Sequence, residues 1–452
     1  MKRLCACILA ASFLGALPGA VLGQLCSKNT MPIGEPQPIG MAEEGGDPWK
    51  FDLGGNVGAA SITNPRTGET EIFNTISLQP ELAFGKLGVG LDLFVYFDSD
   101  GKAREEDWDT AEDFVSKIWY ARWGSKGEKP VYARLGGLAN TTIGHGFIMG
   151  GYTNRLDYPN VRKVGALLDL DAGWVGFESV LTDVRRATLL GGRVYARPMH
   201  GGGLPVLEGM AIGLTGVTDR DPDDNKGTQN DQVSVYGVDL DLPILKQENL
   251  SAKLYADGAV MHLGSRYTTT GGKNYGKGLA AGLGAKVFFL DARAEMRSIE
   301  NNFVPNFFDG YYDIDRFTSG AYKADTIAGT ASPRRTGPLV ELFADILGKV
   351  TVGGSYESLN VDPLAQYPRV RAEARTDPSL LLGKFSLASR YEQRNVDKWS
   401  FIGRTRGPDT IITSEIAYMP NANLRIVGVM KQTFDEMGRP VRTTQFRSDV
   451  RF

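Results

Sequence analysis

The C-terminal eleven residues constrain the fold more than any other stretch of this chain. If residues 442–452 form a strand, Phe446, Val450 and Phe452 share one side of it, with Ser448 between them. The other side carries only polar or charged side chains, namely Gln445, Arg447, Asp449 and Arg451. A water-soluble protein has little reason to end on such a strand, whereas a membrane barrel contacts lipid on one face and water on the other. The end of the chain therefore predicts a transmembrane strand.

The same two-residue alternation of apolar and polar side chains dominates the sequence from Trp49 onwards. In one run, Tyr236, Val238 and Leu240 alternate with Gly237, Asp239 and Asp241. Short and long connections between such runs broadly alternate, as expected when tight turns lie on one side of a membrane and long loops on the other. We therefore predict an all-β fold, a single closed antiparallel transmembrane β-barrel spanning residues 49–452, with about 18–20 strands.

The N-terminus has the pattern of an export signal. Lys2 and Arg3 supply positive charge, and an apolar stretch from Leu4 ends in small residues near Gly23. Residues 1–23 are therefore predicted to be a signal peptide. Residues 24–48 are rich in proline, glycine and acidic residues without periodicity, and we expect an extended periplasmic arm. Cys26 is the one cysteine of three that would remain, so no internal disulfide is expected.

Taken together, the export signal, the alternating strands, the turn at 420–423 and the terminal Phe452 resemble bacterial outer-membrane β-barrel proteins of the porin type. The resemblance implies the outer membrane of a diderm bacterium, with both termini periplasmic. It also implies contact with outer-membrane lipid and lipopolysaccharide, and recognition of the strand ending at Phe452 by the barrel-assembly machinery. A homo-oligomer is compatible with it.

Composition excludes several other classes. No run of about 20 apolar residues follows the N-terminal segment, so a helical membrane protein is not expected. The 50 basic and 53 acidic residues give a net charge of −3, which does not indicate a nucleic-acid partner. A soluble β-propeller or sandwich remains an alternative, but no repeat period and no two-faced apolar core is visible.

Charged residues at predicted inward positions suggest the character of the lumen. The last strands would carry a surplus of arginine over carboxylate, with Arg369, Arg371, Arg375, Arg390, Arg394, Arg425, Arg447 and Arg451 lining the pore. Earlier strands would carry more acids, among them Asp239 and Asp241. Opposite charges on facing walls would set a transverse field and an ion preference. The alternative is that these charges pair between neighbouring strands and only hold the wall together.

Two long loops stand out. Loop 139–161 contains glycines with His145, Phe147, Tyr152 and Arg155, and it follows the fifth predicted strand, where general porins fold a loop inward. We expect a constriction there, with an ordinary external loop as the alternative. Loop 301–336 contains seven aromatic residues, which would stack on sugar rings, pack as a lid over the pore, or contact a neighbouring protomer. We favour internal packing as a lid.

Asp219, Asp221 and Asp223 are spaced two apart, as hard cations such as Ca²⁺ accept, but the full twelve-residue calcium loop is absent. We expect a solvated acidic loop there, with a metal site as the weaker alternative, and no cofactor. Only three histidines occur, and none lies in a recognisable nucleophile motif, so an enzyme is not expected.

The predicted function is passive passage of small hydrophilic solutes, with anions favoured by the arginine-rich lumen. One alternative is a non-conducting structural or adhesive barrel. A less favoured one is an outer-membrane hydrolase, which would require two histidines and an acid to converge near the rim.

Overall fold

A computed structural model of the chain describes residues 49–63, 70–155, 162–223, 229–247, 249–267, 274–316, 323–324, 334–359, 368–396, 409–434 and 440–451. The predicted signal peptide, the periplasmic arm and Phe452 lie outside the described residues.

The described chain forms one antiparallel sheet that closes on itself, because the first and last strands pair, with Gly58 opposite Arg447. The strand segments are β1 (Trp49–Thr63), β2 (Thr70–Phe84), β3 (Leu87–Leu91), β4 (Leu93–Phe97), β5 (Ile118–Trp123), β6 (Val131–Gly136), β7 (Gly165–Asp171), β8 (Val175–Leu181), β9 (Leu189–Ala196), β10 (Ala211–Asp219), β11 (Val233–Lys246), β12 (Leu250–Leu263), β13 (Tyr275–Val287), β14 (Leu290–Asn301), β15 (Arg335–Ile346), β16 (Val350–Glu357), β17 (Arg369–Thr376), β18 (Phe385–Gln393), β19 (Thr410–Asn421), β20 (Leu424–Phe434) and β21 (Pro440–Arg451).

Segments β3 and β4 both pair with β2, so they are one strand interrupted at Asp92. The barrel therefore has 20 strands. The predicted all-β closed barrel is confirmed, with the strand number at the upper end of the predicted range.

The two faces of the strands differ as the alternation predicts. On β11, Tyr236 and Val238 are 60% and 55% exposed, whereas Asp239, on the opposite face, is 6% exposed. On β21, Phe446 is 63% exposed and Arg447 is 6% exposed. An apolar outer surface can contact the hydrocarbon of a bilayer. Closure of the sheet also pairs the backbone polar groups of neighbouring strands, so that they do not need water.

Most short and long connections lie at opposite ends of the barrel. Tight links such as 85–86 and 347–349 join strands at one end, and long links such as 98–117 and 137–164 join them at the other. The link 197–210, which contains a short helix at Pro205–Glu208, is a long one at the tight-link end. The link between β13 and β14 is Phe288–Phe289, because Val287 pairs with Leu290.

The helices of the described residues are short and lie in the connections between strands. They are α1 (Ala111–Ser116), α2 (Pro205–Glu208) and α3 (Tyr312–Asp315), together with 3-10 turns at Glu105–Asp107, Ser265–Tyr267 and Pro378–Leu380. None of the described helices has the length and apolar character needed to span a bilayer.

Candidate functional site

Two segments of the long connections fold into the barrel, and we call them the inserted loops: residues 137–155 and residues 302–316. They pair with each other through a parallel bridge between Met149 and Phe308. The amide of Asn306 also donates to the carbonyl oxygen of Phe147 at 2.7 Å. The first inserted loop follows the fifth strand of the barrel, as the sequence predicts for loop 139–161.

Aromatic and aliphatic side chains hold the inserted loops against the barrel wall. The rings of Phe147 and Phe303 have centroids 5.1 Å apart, and those of Phe308 and Tyr312 are 5.0 Å apart. Inward side chains from β7 to β14 join the same buried cluster, among them Leu167, Val180, Leu189, Val217, Val235, Met261 and Ile299. The lumen on this side is therefore filled by a hydrophobic core.

Five of the seven aromatic residues of loop 301–336 are buried, namely Phe303, Phe307, Phe308, Tyr311 and Tyr312. Phe317 and Tyr322 lie outside the described residues. Stacking on a solute requires accessible rings, whereas these rings pack against one another and the wall. The described part of the loop thus has the internal packing that the sequence favoured.

His145 lies at the tip of the first inserted loop and is 8% exposed. Its Nε2 lies 3.0 Å from the Oδ1 of Asp241 on β11, and its Nδ1 lies 3.0 Å from the Oδ1 of Asp257 on β12. The ring also packs on Tyr255, with centroids 4.4 Å apart. Nδ1 donates a hydrogen bond to Asp257, whereas Nε2 lies beside Asp241 without hydrogen-bond geometry, so that second contact is an ion pair when the imidazole is protonated. Burial would lower the pKa of His145, but the contacts with Asp241 and Asp257 and their negative charges outweigh it and raise the pKa.

The acidic wall also binds the backbone of this tip. The Gly144 amide donates to Oε2 of Glu178 at 3.1 Å. Arg193 on β9 donates from Nε to Asp239 at 2.9 Å and lies 3.3 Å from Glu178. Gly144 has a φ of +56°, and a Cβ there would lie 3.3 Å from the Arg193 side chain. Glycine therefore fits both the left-handed turn and the close approach to the wall.

The second inserted loop is held by basic side chains from its own connection, from β17 and from the residue after β18. Asp309 lies 3.1 Å from Nζ of Lys323 and 3.3 Å from Nη1 of Arg369. Asp315 lies 2.6 Å from Nη1 of Arg394. Two of the predicted pore-lining arginines thus anchor a loop. Asp309 and Asp315 were missed by the sequence analysis, although acids among the aromatic residues of loop 301–336 were a usable signal.

The other predicted arginines lie on the inward face of the last strands. Arg371 and Arg390 share Glu373, at 3.1 and 3.0 Å, and Arg375 lies on the same strand as Arg371. Strands β17 and β18 together carry four arginines, Arg369, Arg371, Arg375 and Arg390, against the two glutamates Glu373 and Glu392.

Arg425 and Arg447 both contact Asp449, at 3.4 and 2.8 Å. The side chain of Arg451 lies outside the described residues. Both sequence-based alternatives therefore describe part of the wall. Ion pairs hold β20 and β21 together, whereas on β17 and β18 the arginines outnumber the glutamates.

The four residues of the predicted constriction all lie in the first inserted loop. Phe147 and Tyr152 are 2% and 0% exposed within the hydrophobic cluster, and Tyr152 donates to Asp313 at 2.8 Å. Arg155 lies beside Gly137, where a Cβ would be 2.4 Å from its Cδ. The narrowing of a pore by these residues, together with His145, remains a prediction.

A smaller cluster on β2 and β4 contains Phe73, Phe94 and Tyr96, and the sequence analysis did not single it out. The Arg162 guanidinium carbon lies 3.0 Å from the centroid of the Phe94 ring, and Lys117 Nζ lies 3.4 Å from it. Both are cation–π contacts, in which a cation is attracted to the face of an aromatic ring. They tie the connections after β4 and before β7 to the barrel.

The histidines lie in three separate places. His145 contacts the β11–β12 wall, His200 lies beside Gly173 in the short-link end, and His262 on β12 lies 3.3 Å from Asn274. The hydrolase alternative required two histidines and an acid near the rim, and the described contacts do not bring two histidines together.

No protein-family model and no curated protein matches the chain. Among solved structures, it is similar to Pseudomonas aeruginosa OccK11 (OpdR), with 13% identity over 89% of this chain and 96% of that one, at a TM-score of 0.36. It is similar to the outer membrane protein opdK of Pseudomonas aeruginosa, with 12% identity, 89% and 98% coverage and a TM-score of 0.34. It is also similar to the copper transporter OprC, with 10% identity, 92% and 82% coverage and a TM-score of 0.38. These likenesses are too weak to carry an argument, so the barrel assignment rests on this chain's own strand pairing and burial.

Proposed function

We propose that this protein is an outer-membrane channel for passive passage of small hydrophilic solutes, with a preference for anions. The observation that carries the proposal is a closed barrel with an apolar exterior, whose inward face has an arginine surplus on β17 and β18. The tight-link end, where β1 begins and β21 ends, would face the periplasm.

Anion preference follows from which charges remain to act on a solute. On the acidic side, Asp241 and Asp257 bind His145, and Asp239 binds Arg193. These carboxylates are neutralised by partners of the loop and the wall. On β17 and β18, Arg369 is paired with Asp309 of the second inserted loop, and the remaining three arginines, Arg371, Arg375 and Arg390, outnumber the two glutamates. The net fixed charge there is therefore positive. A wall of fixed positive charge raises the local concentration of anions and lowers that of cations.

The inserted loops would set the width of the path. They occupy the side of the lumen from β7 to β14, and Asp309 and Asp315 connect the second loop to Arg369 and Arg394. Solutes would therefore pass between the inserted loops and the remaining wall. Deleting residues 143–152 is expected to raise single-channel conductance, and unchanged conductance would rule out the constriction.

The test of ion preference is a reversal potential in a planar bilayer under a salt gradient. The wild type is expected to conduct with anions favoured, and a triple variant with Arg371, Arg375 and Arg390 changed to Gln should shift the reversal potential towards cations. A matched control changes Arg104, in the connection after β4, to Gln. A silent wild type would favour the structural or adhesive barrel, and an unshifted triple variant would refute the arginine surplus as the selectivity element.

The same proposal includes contact with outer-membrane lipid and lipopolysaccharide, assembly through the strand ending at Phe452, and no enzymatic activity. It leaves the number of barrels in the assembly open. Support for the lipid contact comes from exposed apolar side chains around the barrel, such as Leu214, Leu279 and Met296.

A further inference from the structure

We infer a binding site for a divalent metal cation in the connection between β10 and β11, formed by the carboxylates of Asp221, Asp223 and Asp231. One carboxylate oxygen from each residue lies within 4.8 Å of the others. Hard cations such as Ca²⁺ bind several oxygen ligands, and clustered carboxylates in a connection are their usual protein ligands. The site is separate from the proposed conduction path and does not depend on it.

Asp231 supplies the second observation. It is 3% exposed, and its Oδ2 is buried without a hydrogen-bond partner among the described residues. A buried carboxylate oxygen without a donor is unfavourable unless a proton or a cation compensates its charge. A cation bound by the three carboxylates would supply that compensation.

The structure changes which residues belong to the cluster. The sequence spacing suggested Asp219 with Asp221 and Asp223, but Asp219 accepts a hydrogen bond from the Tyr312 hydroxyl at 2.8 Å and lies 3.6 Å from Arg316. Asp219 is therefore bound to the second inserted loop. Asp231, from the other end of the same connection, takes its place.

Two acids in this region have basic partners. Asp219 lies 3.6 Å from Arg316, and Asp223 contacts Arg266 at 2.5 Å. The carboxylates of Asp221, Asp223 and Asp231 converge within 4.8 Å, so their negative charges repel one another. A divalent cation would offset more of that repulsion than a monovalent one.

Binding at this position would support the second inserted loop. Nε of Arg316 donates to the carbonyl oxygen of Pro222 at 3.2 Å, between the first two proposed ligands. A cation held by Asp221 and Asp223 would fix the backbone that carries this carbonyl. Occupancy should therefore raise the temperature at which the inserted loops and the barrel unfold.

The experiment uses the mature protein, refolded in detergent free of lipopolysaccharide, and titrates it with CaCl₂ in a calorimeter. We expect saturable binding with a dissociation constant of about 10⁻³ M or tighter. Asp231→Asn and Asp221→Asn should each weaken binding at least about tenfold, because each removes one anionic ligand. Asp100→Asn, which changes an exposed acid in the connection after β4, is the control and should bind as the wild type does.

Absence of saturable Ca²⁺ binding by the wild type would overturn the site. Equal affinity in the wild type and both ligand variants would also overturn it, because the ion would then bind elsewhere. If Asp231→Asn fails to refold, the more exposed Asp221→Asn gives the decision. The readout is heat of binding and not ion current, so a protein that does not conduct still tests the site.

Discussion

Replacing His145 with Gln tests whether a single imidazolium holds the first inserted loop inside the barrel. The ring contacts two carboxylates from two neighbouring strands, at 3.0 Å from each nitrogen. Glutamine keeps a polar side chain but cannot donate to both carboxylates from opposite ring edges, and it carries no charge. Asp241 also contacts Lys253 at 2.9 Å and lies 3.8 Å from Arg193, whereas the described partner of Asp257 is His145.

The magnitude follows from the two contacts. The hydrogen bond between Nδ1 and Asp257 joins charged groups and contributes about 1.5–3 kcal/mol. Removing one partner of a buried ion pair costs about 3–5 kcal/mol, so loss of both contacts should weaken docking of the loop by about 3–5 kcal/mol. Since about 1.4 kcal/mol is a tenfold change in an equilibrium constant, the docked fraction should fall relative to the undocked by at least about a hundredfold.

The same contacts give a pH dependence with a definite sign. The pKa of His145 is raised in the folded protein, so protonated His145 favours the docked loop. This stabilisation is fully present below the unfolded pKa of about 6.5 and is lost as pH rises through the higher folded value. The groups that face the ring are Asp241, Asp257 and Tyr255, with Glu178, Arg193 and Lys253 nearby.

The assay is single-channel conductance in planar bilayers over a pH series that starts at about pH 5.5, below the unfolded pKa, and rises until His145 is deprotonated. Wild-type conductance should increase as His145 loses its proton, and His145→Gln should show the higher value throughout the series. Amide hydrogen exchange of residues 143–152 should follow the same pattern. His200→Gln, at the short-link end, is the control and should behave as the wild type. Identical pH dependence in the wild type and His145→Gln would refute the reasoning.

Three further predictions concern packing, the lipid face and the wall. Gly278→Ala places a Cβ about 2.4 Å from the Phe303 ring and 2.9 Å from the Phe147 ring, so overpacking should cost about 1–3 kcal/mol and increase hydrogen exchange in the inserted loops. Leu214→Arg puts a charge at a site that is 62% exposed on the apolar exterior, and refolding into bilayers should lose about 2–4 kcal/mol of stability, whereas Leu214→Val should lose less than half of that. Arg193→Met leaves Asp239 buried without its partner and should lower stability in urea titrations by about 3–5 kcal/mol, and a loss below about 1 kcal/mol would contradict the anchoring role of this pair.

The strands of the barrel wall and the direction of their side chains could be predicted from local alternation along the chain. A strand side chain alternates between two faces, so Val238 against Asp239, and Phe446 against Arg447, reveal which face meets lipid and which meets the lumen. Connection lengths likewise determined which end carries the long loops, and the position of loop 139–161 after the fifth strand. These properties are local, and a one-residue shift would reverse every face.

The filling of the lumen and the pairing of the charges could not be predicted in this way, because they depend on contacts between distant segments. Nothing in the local pattern shows that Met149 pairs with Phe308, or that His145 lies between Asp241 and Asp257, because these partners are roughly 100 or more positions apart in the chain. Arg369 and Arg394 have the same alternation as Arg371 and Arg390, yet they bind Asp309 and Asp315 of an inserted loop. Ion pairing between distant segments depends on closure of the barrel and on the path of the loops, which alternation along a strand does not encode.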